Sequence, residues 1–271
     1  MTGRLKQLTL FLLPFRIAAR LGVGARGRLE IFAHSFVFVC LLACGIRRRE
    51  MLSLHVKGKM FIVSLDSSVD LALIREVFLD EEYAHPPLLH ATVIFDVGAN
   101  AGLTSLYLHA VYPHAVIHAF EPNPDAFAKL RANIRDVPNI IPHEAALSDT
   151  DGLVPLYVPA SSLASSLLRR ADGGETRVIS VRSQRLRTVV SGLGIASVDL
   201  LKFDIEGGEY ALFAAADDRR TASAIIGEVH ADLKPEGAAD FLELCREFGG
   251  RYLRQIAPHR HIYFGIRETH V

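Results

Sequence analysis

Phe95-Asp96-Val97-Gly98-Ala99-Asn100-Ala101-Gly102 carries two glycines four residues apart behind an apolar run. The apolar run Thr92–Asp96 predicts a buried strand and Leu103–Ala110 a helix, so the glycines fall in a strand-to-helix turn. Gly98 allows a tight turn with close backbone approach, and Gly102 opens the helix. In open α/β sheets ligands bind beyond the carboxyl ends of the strands, where strand order reverses.

The residues inside the turn restrict what it could hold. A Gly-x-Gly-x-x-Gly fingerprint counted from Gly98 would need glycine where Asn100 and Leu103 stand, and those side chains obstruct a pyrophosphate. A P-loop would end in Gly-Lys-Ser/Thr, whereas Gly102 is followed by Leu103-Thr104. An adenosine-type cofactor carrying an amino acid fits better, with Asp96 placed to meet an ammonium group.

Outward from the turn, strands and helices alternate as in a parallel, doubly wound sheet. Ala115–Phe120 predicts the second strand, Asp125–Arg135 a helix and Asn139–Ala145 the third strand. The second strand ends in Phe120-Glu121-Pro122-Asn123-Pro124, where an acid can accept hydrogen bonds from ribose hydroxyls. The alternative is that Glu121 only favours the N-terminus of the next helix. After the third strand, Ser148-Asp149 places Asp149 to accept the adenine amino group, although a plain turn through Ser148–Gly152 explains that acid as well. Leu153–Val158, the serines of Ser161–Ser166 and Arg177–Val181 read as a β-rich excursion, and long excursions inside compact domains are usually functional. The alternation resumes with Val198–Phe203, a helix near Tyr210–Ala216, the strand Ala224–Val229 and a helix over Glu236–Phe248. Arg251–Ile256 and His261–Ile266 predict an antiparallel hairpin at the sheet edge.

The most distinctive string is Val198-Asp199-Leu200-Leu201-Lys202-Phe203-Asp204-Ile205-Glu206-Gly207-Gly208-Glu209. A buried strand here delivers acids and glycines to the cleft. Asp204 and Glu206 could both face a substrate hydroxyl or a cation, whereas Glu209 suits the start of the next helix. Ile226-Gly227-Glu228-Val229-His230 brings His230 to the same rim.

With these motifs in order, the sequence resembles the FkbM-type methyltransferases over roughly Phe61 to Ile266. The resemblance rests on the Phe95–Gly102 turn, Phe120–Pro124, Ala146–Asp149, Asp204–Glu209, Glu228–His230 and the lead-in Val77–Tyr83. Phe203 stands where the family commonly has isoleucine, an apolar exchange. The resemblance implies a Rossmann-like methyltransferase sheet, mostly parallel with an antiparallel C-terminal edge. It also implies methyl transfer from S-adenosylmethionine to a hydroxyl of a sugar, glycolipid or secondary metabolite. The expected cofactor contacts are Asp96, Gly98, Asn100, Gly102, Glu121, Ser148, Asp149 and Asp204. The acceptor proton calls for a positioned base, with Asp204 or Glu206 expected and His230 as alternative base or positioning group. Against this stands the reading that Asp204 holds the cofactor's methionine end and His230 is a satisfied rim histidine. Asp204, Glu206 and His230 are acceptable metal ligands, yet no compact pair such as His-x-x-x-His supports them, so no metal is expected.

Composition bounds the remainder. Thirty basic and thirty acidic residues cancel, leaving no field to hold nucleic acid, and no basic stripe is interleaved with aromatics. Cys40, Cys44 and Cys245 lack Cys-x-x-Cys spacing and suit a reducing, cytoplasmic setting. Residues 1–49 hold many Arg and Lys but one acid, Glu30. Leu8–Ala19 resembles a signal peptide superficially, but it lacks a clear cleavage site and is interrupted by Pro14. The apolar run Ile31–Ile46, followed by Arg47-Arg48-Arg49, predicts a helix packed on the core, an interfacial membrane helix or, being short, least of all a span. The expected division is a helical extension over 1–55 and the methyltransferase-like domain over 56–271. Two rival classes remain at this point: another Rossmann-fold enzyme such as a nucleotide-sugar oxidoreductase, and a noncatalytic membrane-associated protein that keeps the fold.

Overall fold

The computed structural model describes residues 3–46, 48–85, 88, 90–159, 165–168, 176–231, 237–257 and 260–267, with backbone alone for 3–10 and 238. Two helices, α1 (Gly3–Leu21) and α2 (Gly24–Ala43), come first, and α1 continues through Pro14 instead of breaking there. An antiparallel hairpin follows, β1 (Glu50–Val56) and β2 (Lys59–Leu65), and α3 (Ser68–Ile74) runs on into a π-helical turn at Arg75–Leu79. The central region is β3 (Val93–Val97), α4 (Leu103–Val111), β4 (Val116–Phe120), α5 (Pro124–Ile134) and β5 (Ile140–His143). The excursion contains β6 (Ala146–Leu147), β7 (Gly152–Pro159) and β8 (Thr176–Gln184), followed by α6 (Leu186–Gly192). The chain closes with β9 (Val198–Phe203), α7 (Glu209–Leu212), α8 (Ala216–Arg219), β10 (Ala222–His230), α9 (Gly237–Leu244), β11 (Arg251–Ala257) and β12 (Arg260–Ile266).

The main sheet has the order β11-β12-β10-β9-β3-β4-β5. Strands β5 to β10 across it are parallel, while β12 enters antiparallel between β10 and β11. This is the doubly wound, Rossmann-like arrangement expected from the sequence, and its order reverses between β3 and β9, where a crevice opens.

Near-continuous apolar strands make sense because helices cover both faces. Alternation sorts neighbours to opposite sides: Ile94, Leu200, Ile226 and Ile262 join one core, and Phe95, Leu201, Ile225 and Tyr263 the other. The first core also takes in Ile17 and Leu21 of α1, Phe38 and Val39 of α2, and Leu52, Leu54, Phe61 and Val63 of the hairpin. The N-terminal helices are therefore packed on the core through one face. Among the described residues no helix is long and apolar enough to cross a membrane.

Several elements differ from expectation. The third strand ends at His143, and Ala146-Leu147 pairs instead with β8 in a separate three-stranded sheet. The helix expected over Tyr210–Ala216 is two short ones, α7 and α8. The one expected over Glu236–Phe248 is α9 plus a 3-10 turn at Arg246–Phe248, with Glu236 outside the described residues. Most of the Ser161–Ser166 stretch is likewise outside them, although Ser166 bridges to Tyr157. The expected boundary after residue 55 falls at the end of β1, whose partner β2 lies beyond it.

Candidate active site

The crevice between β3 and β9 widens into a cavity of about 360 Å³, within the ~300–1,000 Å³ range of small-molecule sites. Its floor is the turn after β3. Gly98 has φ +76°, and a Cβ there would lie 1.9 Å from the Asp204 carbonyl oxygen, so the two strand-end turns meet only because Gly98 lacks a side chain. Gly102 has φ +83°, and a Cβ would lie 2.6 Å from Leu130 Cδ1, so this glycine lets α5 pack against the start of α4.

Glu121, at the end of β4, faces the cavity and accepts hydrogen bonds from the backbone N–H groups of Asn100 and Asn123, both at 2.8 Å. Burial pushes its carboxyl up to about 7, against the pull of those two donors. Phe120, Ala146, Leu147 and Leu156 add an apolar wall beside it.

Four expected cofactor contacts lie outside the cavity lining: Gly102, which faces Leu130 of α5, and Asp96, Ser148 and Asp149. Asp96 does meet an ammonium group, but it is that of Lys202, at 2.9 Å and fully buried. Asp96 and Lys202 are register partners on neighbouring strands, so their side chains share one face of the sheet. Ser105 donates to the other Asp96 oxygen at 2.6 Å, and Lys202 also donates to the Gly98 carbonyl at 3.0 Å. The pair thus braces the turn from below. Asp149 is exposed and accepts from the hydroxyls of Ser148 and Thr150 at 3.1 and 3.0 Å, the plain turn rather than a cavity contact.

The other end of the cavity is acidic. Asp204 accepts a hydrogen bond from the Tyr83 hydroxyl at 2.9 Å through Oδ2, while its Oδ1 is buried without a hydrogen-bond partner. His230, at the end of β10, is 2% exposed. Its Nδ1 is 2.9 Å from Glu209 Oε1, and its Nε2 is 3.2 Å from Glu228 and 3.3 Å from Glu206. Burial alone would lower the imidazole, but hydrogen bonding to Glu209 and the adjoining carboxylates of Glu228 and Asp204 raise it to about 11. Glu209 opens α7 as expected and also accepts from the Gly207 N–H at 3.0 Å. Arg260 of β12 donates to Glu228.

Glu76, Glu82, Tyr83, Lys202, Glu228 and Arg260 line the cavity without having been singled out for a role in the sequence. Burial, then Glu76, Glu228 and Asp204, push the Glu82 carboxyl up to about 7. The π-helical turn carries Glu76 into the wall, and no periodicity of the sequence reveals that turn. Of the expected site residues, the structure brings Gly98, Asn100, Glu121, Asp204 and Glu206 to one cavity, with His230 against its acidic end.

The family described as the Methyltransferase FkbM domain matches residues 96–255. The chain is 31% identical to the 31-O-demethyl-FK506 methyltransferase FkbM of Streptomyces tacrolimicus, over 69% of this chain and 89% of that one. It is 27% identical to the 2-O-methyltransferase NoeI of Sinorhizobium fredii, over 52% of this chain and 63% of that one. It is also 27% identical to the hexuronic acid methyltransferase AglP of Haloferax volcanii, over 55% of this chain and 61% of that one.

Proposed function

This chain belongs to the FkbM methyltransferase family and uses S-adenosylmethionine, and from that premise we propose that it methylates a hydroxyl oxygen of a sugar, glycolipid or secondary metabolite. The carrying observation is one cavity with two unlike ends, a glycine-floored, half-apolar end at Gly98 and Glu121 and an acidic end at Asp204, Glu206 and Glu228. The 2-O-methyltransferase and hexuronic acid methyltransferase relatives support oxygen and sugar as the target class.

The residues fit the cofactor. Gly98 lets the turn after β3 seat against the turn after β9 at the cavity floor, and the Glu121 carboxylate, already fixed by two backbone donors, keeps lone pairs for ribose hydroxyls. The apolar wall of Phe120, Ala146, Leu147 and Leu156 would take the adenine, and the acidic end beyond it, not Asp96, would take the cofactor's ammonium group. Asn100 and Gly102 shape the turn through their positive φ values.

When bound, S-adenosylmethionine supplies an electrophilic methyl group on a sulfonium. The chain's own residues must hold the acceptor oxygen in reach and take its proton. Glu206 is the base in this proposal, its side chain 19% exposed at the cavity rim beside His230. His230 is a positioning group, because both its ring nitrogens face carboxylates, Nδ1 that of Glu209 and Nε2 those of Glu228 and Glu206. Tyr83 holds Asp204 in place.

The test is incubation with methyl-labelled S-adenosylmethionine and envelope-glycan and secondary-metabolite fractions, with NMR of the labelled product. A methoxy carbon is expected, and label on nitrogen or carbon rejects the oxygen reading. Glu206→Gln should slow single-turnover transfer by ~10²–10⁴-fold with little change in S-adenosylhomocysteine affinity. Full turnover removes Glu206 as base.

A second observation favours peripheral membrane contact. Phe11, Leu12 and Phe15 of α1, Val23 between the helices, and Leu29, Phe36 and Val37 of α2 are exposed, as are Arg16, Arg20, Arg26 and Arg28. An apolar face edged by arginine suits an anionic lipid surface.

A further inference from the structure

We propose that Asp204, Glu228 and His230 form a binding site for one divalent cation. One ligand atom from each lies within 4.8 Å of the others, a spread that one ion can bridge at ligand distances of ~2.0–2.3 Å after small side-chain adjustments. Spacing in the sequence conceals the set, because its members stand at the ends of the neighbouring parallel strands β9 and β10. The fold supplies the proximity that a compact motif would supply on a helix.

Two further observations point to a ligand. His230 is almost fully buried and directed by Glu209, which engages Nδ1 at 2.9 Å and is itself fixed by the Gly207 N–H. A carboxylate on the far ring nitrogen is the usual support of a metal-bound histidine, since it fixes the tautomer that leaves Nε2 as ligand. That Nε2 points at the cluster and makes no aligned hydrogen bond, although Glu228 and Glu206 oxygens stand 3.2 and 3.3 Å away. Asp204 Oδ1 is the other buried atom of the cluster without a hydrogen-bond partner, its sister oxygen being held by Tyr83.

Charge completes the case. Glu76, Glu82, Asp204, Glu206 and Glu228 line one cavity with Glu209 just behind, and Arg260 engages a single oxygen of Glu228. Carboxylates crowded away from water require compensating positive charge. Either a proton on His230 Nε2 or a cation in its place can contribute that charge, and the two exclude one another. A cation there would hold an acceptor oxygen and ease loss of its proton toward Glu206. That role rests on the oxygen-methylation reading, whereas the binding itself does not.

The experiment is titration of the metal-freed full chain with Mn²⁺, followed by EPR of the free ion and by pulsed EPR of the bound ion. Saturable binding of one equivalent below roughly millimolar Mn²⁺ is expected, with nitrogen coupling from His230 in the wild-type protein. Asp204→Asn and His230→Asn should each weaken binding by ~10–100-fold in samples whose circular dichroism is unchanged. No saturable binding, bound Mn²⁺ without nitrogen coupling, or undiminished affinity in a folded variant overturns the site. S-adenosylhomocysteine titration of the same wild-type sample reads the cofactor site separately, so failure of one reading is distinguishable from failure of the other.

Discussion

Replacing Gly98 by alanine perturbs the site at its tightest point. The new Cβ would lie 1.9 Å from the Asp204 carbonyl oxygen and 2.9 Å from its carbon, where real Cβ contacts stay beyond 3.0 Å. The turns after β3 and β9 must therefore part by about 1 Å, and the residue must also hold φ +76°. The left-handed conformation costs ~1–2 kcal/mol for a side-chain-bearing residue, and overpacking adds ~1–3 kcal/mol. A stability loss of about 2–5 kcal/mol follows. The larger effect is on binding, because Asn100 and Asp204 ride on the two displaced turns and misplacement by ~1 Å costs on the order of 100-fold in a positioned site. Calorimetric titration with S-adenosylhomocysteine, alongside denaturant unfolding, reads both. A Gly98→Ala variant that binds within threefold of wild type and loses less than ~1 kcal/mol would refute the account of this turn.

Glu121 gives a pH prediction. Its carboxyl is raised from 4.5 to about 7 by burial, so this group's contribution to the stability of the cofactor-free protein is fully present below 4.5 and is lost as pH rises through 7. Cofactor affinity runs the other way, falling ~10-fold per unit below pH 7 as the carboxylate is protonated, and Glu121→Gln should flatten the profile. A flat wild-type titration between pH 5.5 and 8 would contradict it. Lys202→Met leaves Asp96 buried without its cation and should cost ~3–5 kcal/mol, with Asp96→Asn added in the same chain restoring most of it. Chemical denaturation checks this, and a loss under ~1 kcal/mol would make the pair incidental. The exposed apolar and arginine face of α1 and α2 should sediment with phosphatidylserine vesicles and release at high salt. Equal binding to neutral vesicles removes the electrostatic part of that reading.

The sequence made the strand-end turns legible because their chemistry is local. Gly98 and Gly102 need conformations that glycine favours, Glu121 follows directly on β4, and Asp204 and Glu206 follow directly on β9. What it could not show depended on register. Asp96 points at Lys202 because β3 and β9 pair with those residues opposite, and nothing in either segment alone states that pairing. Asp149 was captured by the hydroxyls flanking it, a competition between near neighbours that the string Ser148-Asp149-Thr150 left open. The hairpin strand β1 was missed although Leu52, Leu54 and Val56 alternate before Lys57-Gly58, a two-residue turn with positive φ at both positions. The acidic end needed the tertiary structure altogether, since Glu76, Glu82, Glu228 and Arg260 reach it from four separate elements or loops.

The most direct test is equilibrium titration of the purified chain with S-adenosylhomocysteine and, in parallel, with NAD⁺, with Glu121→Ala as the control. One equivalent of S-adenosylhomocysteine is expected to bind, with loss of at least about tenfold in the control, as for a bond to a charged group, and no saturable binding of NAD⁺. Binding of NAD⁺ with none of S-adenosylhomocysteine, or S-adenosylhomocysteine affinity indifferent to Glu121, would contradict it.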